Sequence, residues 1–114
     1  MTIAQMRENQ DVPVVIIDKN GDITYINNKF IEVFGFTHSD AIGQPVLIII
    51  PNELHDAHNM GLSRFIYTEK PTLLHKPLNL KAKKKNGDEF DAEHFIVAEK
   101  KGNDWEIGAT IKPL

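Results

Sequence analysis

The hydrophobic pattern near the start of the chain predicts a β-hairpin. Residues 12–17 form a continuous run that is mostly β-branched, which is typical of a strand buried on both faces. The Asn20-Gly21 pair then favours a tight turn, and residues 23–26 predict the returning strand. We therefore expect the first two strands to pair directly with each other.

Two short helices are predicted after this hairpin. Asn27 and Asn28 can cap the first, because asparagine accepts a backbone N–H at a helix start. Gly35 lies where a left-handed residue would end that helix. Thr37 and Asp40 have the spacing of a capping box, which opens the second helix.

A longer helix is predicted over residues 52–67, after an apolar run at residues 46–50. Four of its residues recur at spacings of four, four and three, which places them on one face: Leu54, His58, Leu62 and Phe65. We expect this face to point inward. His55, on the same helix, is expected on the solvent side.

Three extended segments complete the chain. Leu73 and Leu74 lead into a strand that ends at an Asn-Gly turn, and residues 90–98 and 105–111 supply two more strands. Alternation in the middle segment places one set of side chains on one face, namely Ala92, His94 and Ile96, and the other set on the opposite face, namely Glu93 and Phe95.

These elements together predict an α+β fold. Five antiparallel strands can bury one face of their sheet under the short helices and the one longer helix. Ile3 and Met6 are three apart and predict a further short helix within residues 2–10. We assign residues 1–11 to an N-terminal helix or linker and residues 12–114 to the domain.

Composition narrows the function classes. With 114 residues the chain has room for one domain, and 13 Lys+Arg against 16 Asp+Glu give no net positive charge that would attract nucleic acid. Cysteine is absent, which excludes disulfides and thiol chemistry. The longest apolar run, at 46–50, is too short to cross a bilayer, and residues 1–10 lack a signal-peptide centre. We expect a soluble, cytoplasmic segment without membrane contact.

Four lysines cluster before the second Asn-Gly turn: Lys81, Lys83, Lys84 and Lys85. Nucleic-acid sites on extended strands interleave such charges with aromatic residues, which are missing here apart from Phe90. The cluster therefore indicates a solvated strand end that protects a sheet edge.

A set of motifs resembles the signature of PAS domains over nearly the whole chain. The motifs are Ile17-Asp18-x-x-Gly21-x-Ile23-x-Tyr25-x-Asn27, then Phe34-Gly35-Phe36, Gly43, Ile50-Pro51 and Lys85-Asn86-Gly87-x-x-Phe90. Their order and spacing carry the resemblance, which implies the PAS fold and a sensory or signalling role.

Within PAS domains, the segment from Pro51 through His58 to Phe65 is similar to the helix of FixL-type oxygen sensors that carries the haem-ligating histidine. The resemblance implies that His58 is the ligand of the haem iron if haem binds. In those sensors an arginine on the following strand contacts the bound gas, and Leu78 occupies that position here. The alternative is that His58 is an ordinary, hydrogen-bonded histidine of the core.

The expected cofactor or ligand pocket lies between the longer helix and the sheet. We assign eight residues to its lining: His58, Leu62, Leu73, Leu74, Leu78, His94, Ile96 and Ile107. His94 could contact a ligand opposite His58, or be a structural histidine. His55 and His58 are also spaced like a metal pair, although two histidines alone are an incomplete metal site.

No catalytic motif is present: the chain has no phosphate-binding glycine loop, Gly-x-Ser-x-Gly or His-Glu-x-x-His. The first hypothesis is a PAS sensory module, not an enzyme, which binds a small molecule or haem and signals to a C-terminal output domain such as a histidine kinase, cyclase or chemotaxis receptor. Covalent flavin attachment is excluded, since it needs a cysteine. The second hypothesis is a ligand-free homodimerisation module. Its interface would be Ile3, Met6, Phe95 and Val97.

Overall fold

The computed structural model of the chain describes residues 1–68 and 76–114. The helices in these ranges are α1 (Ile3–Glu8), α2 (Asn28–Phe34), α3 (His38–Ala41) and α4 (His55–Thr68), with 3₁₀ helices at Val46–Ile49 and Asn52–Leu54. The strands are β1 (Val14–Ile17), β2 (Ile23–Ile26), β3 (Leu78–Lys83), β4 (Glu89–Lys101) and β5 (Asp104–Pro113).

The five strands form one antiparallel sheet in the order β2-β1-β5-β4-β3. The predicted α+β fold is therefore confirmed. Strand β1 lies between β2 and β5, and all four of its residues are buried, as the continuous apolar run predicted. Its alternate side chains enter two different clusters, one on each face of the sheet.

Both predicted Asn-Gly turns connect antiparallel strands. Gly21 and Gly87 have φ values of 85° and 94°, a left-handed conformation that glycine adopts without strain. At the first turn, the Asp18 carboxylate accepts the backbone N–H groups of Asn20 and Asp22 at 2.9 and 3.0 Å. These local bonds explain why the two hairpins could be located from sequence.

Asn27 joins the hairpin to α2 and to the N-terminal segment. Its side chain is only 3% exposed, and its Oδ1 accepts the N–H groups of Val14 and Phe30 at 3.0 and 2.9 Å. Its Nδ2 donates to the carbonyls of Asn9 and Val12 at 3.0 and 2.8 Å. One buried amide therefore satisfies four backbone groups from three segments.

The inner face of the sheet packs against the helices. Phe30 and Phe34 of α2 are buried with ring centroids 4.5 Å apart, and Phe34 also contacts Phe90 of β4 at 5.5 Å. Leu62 and Phe65 of α4 lie partly buried against this same cluster, so the predicted stripe does point inward. The main core therefore lies between the helices and one sheet face.

Helix α1 covers the opposite, outer face of the sheet. Ile3 and Met6 are 2% and 0% exposed and pack with Val97, while Phe95 lies partly buried beside them. Close approach is permitted by Gly108 of β5, where a Cβ atom would lie 2.7 Å from Met6 Sδ. The prediction of an exposed interface at these positions is wrong, because the chain buries Ile3, Met6 and Val97 against its own sheet.

Some boundaries differ from prediction. Strand β1 begins at Val14, after Pro13, which has no N–H to donate to a neighbouring strand. Strand β3 begins at Leu78, while Leu73 and Leu74 lie outside the described residues. Strand β4 extends to residue 101 and strand β5 begins at residue 104, since the turn that connects them is tighter than expected.

In the described ranges, no helix has the length and apolar character needed to cross a membrane.

Strand β3 is an edge strand; Lys81 and Lys83 lie on it, and Lys84 and Lys85 directly follow its last residue. Each has a local partner: Lys81 with Asp91 at 2.9 Å, Lys83 with Asn52 at 3.1 Å, Lys85 with Asp40 at 3.0 Å, and Lys84 over the Phe90 ring at 5.7 Å. The cluster therefore forms part of a charged, solvated edge.

Candidate ligand-binding cavity

A cavity of about 290 Å³ lies between the inner face of the sheet and the segment that leads into α4. Strands β1, β4 and β5 supply most of one wall, which includes Val15, Ile17, Ile96, Ile107, Ala109 and Ile111. These residues alternate along their strands and therefore share one face. These six side chains are all aliphatic.

The opposite wall comes from the two 3₁₀ helices and the first turn of α4. It includes Val46, Ile49, Ile50, Leu54, Ala57 and His58. Pro45 and Pro51 precede the two 3₁₀ helices with φ values of −64° and −52°. Proline favours such a helix start, because its ring restricts φ and it lacks the N–H that would be unpaired there. The apolar run at 46–50 is therefore folded into turns that cover the sheet.

His58 brings a polar group to this apolar cavity. Its Nδ1 atom is buried and has no hydrogen-bond partner among the described residues. Burial lowers the pKa of His58, and the neighbouring His55 lowers it further. The imidazole is therefore neutral at physiological pH and has an unsatisfied ring nitrogen, a state that costs about 1–3 kcal/mol unless a partner binds.

His94 lies on the sheet side of the cavity and pairs across strands with Leu78 of β3. Its Nδ1 lies 3.2 Å from the carbonyl oxygen of Ala92. Burial lowers the pKa of His94, although hydrogen bonds with the backbone of Ala92 and Leu78 oppose this shift. The predicted alternation is confirmed, because Ala92 and Ile96 also face inward while Phe95 packs on the outer face.

His55 does not point to solvent, and that prediction is wrong. Its Nε2 lies 3.1 Å from the carbonyl oxygen of Leu47 and 2.7 Å from that of Ile50. The first turn of α4 folds back towards the 3₁₀ helix at Val46–Ile49, so the ring reaches two carbonyls at the end of that helix, of which that of Leu47 also accepts the Ile50 N–H. This ring nitrogen is consequently engaged, and the predicted metal pair with His58 loses one donor atom.

The cavity rim contains one charged side chain among the described residues that line it. Lys81 is half-exposed there, and its ammonium lies 2.9 Å from the Asp91 carboxylate. The hydrogen bond that the Lys81 ammonium donates to the Asp91 carboxylate raises the pKa of Lys81. Because this cation already has a counter-ion at the surface, the interior of the cavity remains uncharged.

Comparison with known proteins identifies the fold. A family model described as the PAS fold matches residues 3–68, more than half of the chain. The chain belongs to the PAS family. PAS domains are generally sensory or signalling modules without catalytic activity of their own.

The solved structures similar to this PAS domain agree with the family. A PAS domain from Desulfitobacterium hafniense is 23% identical with a TM-score of 0.74, covering 96% of this chain and 99% of that chain. A PAS domain of a two-component sensor histidine kinase is 9% identical, also with a TM-score of 0.74, covering 96% of this chain and 91% of that chain. At these identities the likeness establishes the fold.

A relative is also found by sequence. An uncharacterized protein of Azorhizobium caulinodans is 28% identical over 102 residues, which cover 89% of this chain. This PAS domain spans only 14% of that protein's length. These comparisons establish the PAS family and not its haem-binding branch, which stays a prediction.

The structure brings five of the eight predicted pocket residues to the cavity of this PAS domain: His58, Leu78, His94, Ile96 and Ile107. Leu62 lies elsewhere, with its Cδ2 3.2 Å from the position that a Gly21 Cβ would occupy. It is one helical turn beyond His58, so it packs past the end of the cavity on the first hairpin. Leu73 and Leu74 lie outside the described residues.

Sequence reasoning missed most of the helical wall and part of the sheet wall. Val46, Ile49 and Ile50 were visible as an apolar run, but no pattern indicated that this run would cover the sheet. Val15 and Ile17 were assigned to a buried strand without a role in the pocket. In both cases the sequence showed that the residues are apolar, through alternation or a continuous run. It did not show which other element packs against them.

Proposed function

We propose that this PAS domain is a sensory module that binds a small molecule in its internal cavity. The bound state of the cavity is then signalled to another part of a larger protein. The observation that carries the proposal is an apolar cavity of about 290 Å³ lined in part by the neutral imidazole of His58, whose Nδ1 has no partner among the described residues. A volume near 300 Å³ lies at the lower limit of ligand pockets in proteins. Such a cavity suits a small, largely apolar molecule.

Strand β5 offers a route for the signal. Ile107, Gly108 and Ala109 line the cavity, and Gly108 also supports Met6 and Ile3 of α1 on the other sheet face. A shift of this strand on binding would alter the packing of α1. Binding can act in this way only if the ligand favours one of two packings over the other.

The proposed receiver of the signal is an output domain in the same protein. The chain spans 14% of the Azorhizobium relative, and one structural neighbour comes from a sensor histidine kinase. We therefore propose that this module signals to an output domain C-terminal to it, of which a kinase is one class.

Toluene is a suitable probe for the cavity, because apolar cavities bind small aromatic molecules. We expect toluene to raise the melting temperature of the native protein, since a ligand that binds only the folded state stabilises it. Ala109→Leu fills the cavity and should abolish the rise. The matched control Ala4→Leu, on the exposed side of α1, should keep it.

Transmission is tested by amide hydrogen exchange with and without toluene. We expect exchange of the α1 amides to change on binding in the native protein and not in Ala109→Leu. The proposal is wrong if toluene does not bind, or if it binds and leaves the exchange of α1 unaltered.

Haem is a second candidate, suggested by the position of His58. The neutral imidazole of His58 is a suitable iron ligand, and bound haem would supply gas-binding chemistry. A ligating histidine usually donates its other ring N–H to an acceptor. The described residues give His58 Nδ1 no such acceptor, so they fit haem less well than a smaller molecule. Purification from cells supplied with a haem precursor tests this: a Soret band lost in His58→Ala and kept in His38→Ala would support haem.

The homodimer hypothesis also requires revision. An interface through Ile3 and Met6 would need α1 to leave the sheet, because both side chains are buried within the chain. Sedimentation over a range of protein concentrations tests for a dimer directly. A dimer that survives Met6→Glu would have to use another surface.

A further inference from the structure

The polar groups of the cavity determine which ligands it can hold. Of the three histidines near it, His55 is engaged with two backbone carbonyls through Nε2. His58 has a buried Nδ1 without a partner in the part of the chain that the structure describes, and His94 directs its Nδ1 to the Ala92 carbonyl. The cavity therefore has hydrogen-bonding capacity that residues 1–68 and 76–114 do not satisfy.

The imidazoles of His58 and His94 can each form a hydrogen bond with a ligand hydroxyl. A neutral imidazole has one N–H donor and one nitrogen lone pair. Since His94 Nδ1 faces a carbonyl oxygen, that nitrogen carries the hydrogen and leaves Nε2 as the acceptor. His58 is also neutral because of burial, and no partner among the described residues fixes its tautomer, so its Nδ1 can be the nitrogen that accepts. A ligand that donates a hydrogen bond therefore has a partner in this cavity.

Charge is disfavoured inside the cavity. Among the described lining residues, the walls are aliphatic apart from the two neutral imidazoles, and Lys81 at the rim is paired with Asp91. Moving an ionised group from water into such surroundings without a counter-ion is costly. Carboxylates and amines are consequently poor ligands for the interior.

We propose that the cavity binds a small uncharged molecule, mostly apolar, that carries an O–H donor: a phenol or an alcohol of about single-ring size. The hydroxyl pairs with Nδ1 of His58, which is buried in the structure, so the ring must turn to present it to the ligand. The apolar body lies against Ile96, Ile107 and Ala109. This inference rests on the proposed function of the cavity and specifies its ligand class.

The test compares three probes of nearly equal size by calorimetry at pH 7.5: 4-methylphenol, toluene and 4-methylbenzoate. One net hydrogen bond of about 1.4 kcal/mol corresponds to a factor of ten in affinity. We expect 4-methylphenol to bind about tenfold more tightly than toluene, and 4-methylbenzoate to bind more weakly than both.

The variants separate hydrogen bonding from packing. His58→Leu should abolish the preference for 4-methylphenol while toluene still binds, and the exposed His38→Leu should keep the preference. If His58→Leu does not fold, nuclear magnetic resonance of the wild-type histidine ring nitrogens decides. The His58 resonance should shift with 4-methylphenol and not with toluene.

The outcomes distinguish this inference from the proposed function. Equal binding of toluene and 4-methylphenol, or tighter binding of 4-methylbenzoate, overturns the ligand class and leaves a ligand-binding cavity. An unshifted His58 resonance in the presence of bound 4-methylphenol also overturns it. Failure of all three probes to bind overturns both.

Discussion

A side chain at Gly108 would collide with the helix that covers the outer face of the sheet. An ideal Cβ atom at this position would lie 2.7 Å from Met6 Sδ and 2.8 Å from Ile3 Cδ1. Both distances are shorter than any ordinary carbon contact. Gly108→Ala must therefore displace either the two side chains or α1 as a whole.

The cost can be worked from two opposing effects. Extra atoms in a packed core typically cost about 1–3 kcal/mol. Replacing glycine by alanine inside a regular element gains roughly 0.5–1 kcal/mol, because the unfolded chain loses less entropy on folding. Since both clashing atoms belong to flexible side chains, we expect a net loss of about 1–2 kcal/mol in the free energy of unfolding.

Gly61→Ala is the matched control. Gly61 lies inside α4, and a Cβ atom there would contact nothing within 4 Å. The same chemical change should therefore raise the free energy of unfolding by about 0.5–1 kcal/mol. The two substitutions are expected to have opposite signs.

Urea denaturation, followed by the fluorescence of Trp105 and by circular dichroism, measures both variants. In a Met6→Ala background, Gly108→Ala should cost less than it does alone, because the nearest clashing atom is gone. If Gly108→Ala proves as stable as the wild type, or if its cost is unchanged without the Met6 side chain, the close docking of α1 on β5 is refuted.

Two further predictions concern buried polar groups. Asn27→Ala should lower the free energy of unfolding by about 2–4 kcal/mol, because it removes a helix cap and leaves buried backbone groups unpaired. The control Asn28→Ala, at an exposed position, should change it by less than about 0.5 kcal/mol. Urea denaturation measures both variants. The lowered pKa values of His58 and His94 mean that the unfolded chain binds more protons than the folded one just below pH 6.5. The free energy of unfolding should therefore fall as the pH drops from about 6.5 towards the folded pKa values. The fall should be shallower in the double variant His58→Leu/His94→Leu. A free energy of unfolding that does not change with pH across this window would contradict the burial of both rings.

Local sequence signals were sufficient for the two Asn-Gly hairpins and for the direction of most side chains, but not for the pairing of β1 with β5. The Asn-Gly turns need only two neighbouring residues and their backbone conformations, so both hairpins were predicted correctly. Alternation in β4 assigned His94 and Ile96 to one face and Phe95 to the other. In the 52–67 helix, a spacing of three and four residues placed His58 and Leu62 on the inward side.

Histidine roles could not be read from spacing. His55 was expected in water, yet it bonds to the carbonyls of Leu47 and Ile50, within and just after the 3₁₀ helix at Val46–Ile49. Its position depends on how α4 folds back on residues 46–50, which no periodicity within the helix describes. The same fold-back decides that Leu54 and Ala57 reach the cavity while Leu62 packs on the first hairpin.

By itself, the sequence determined the order of elements, the faces of the helices and strands, and the motifs by which the PAS family is recognised. The tertiary structure alone decided what each face meets: α1 covers the outer sheet through Ile3 and Met6, and the 46–50 run closes the cavity. The physical reason is that periodicity records which residues avoid water. The partner that removes them from water is often many residues away, as Met6 is from Gly108, and is chosen by packing of the whole fold.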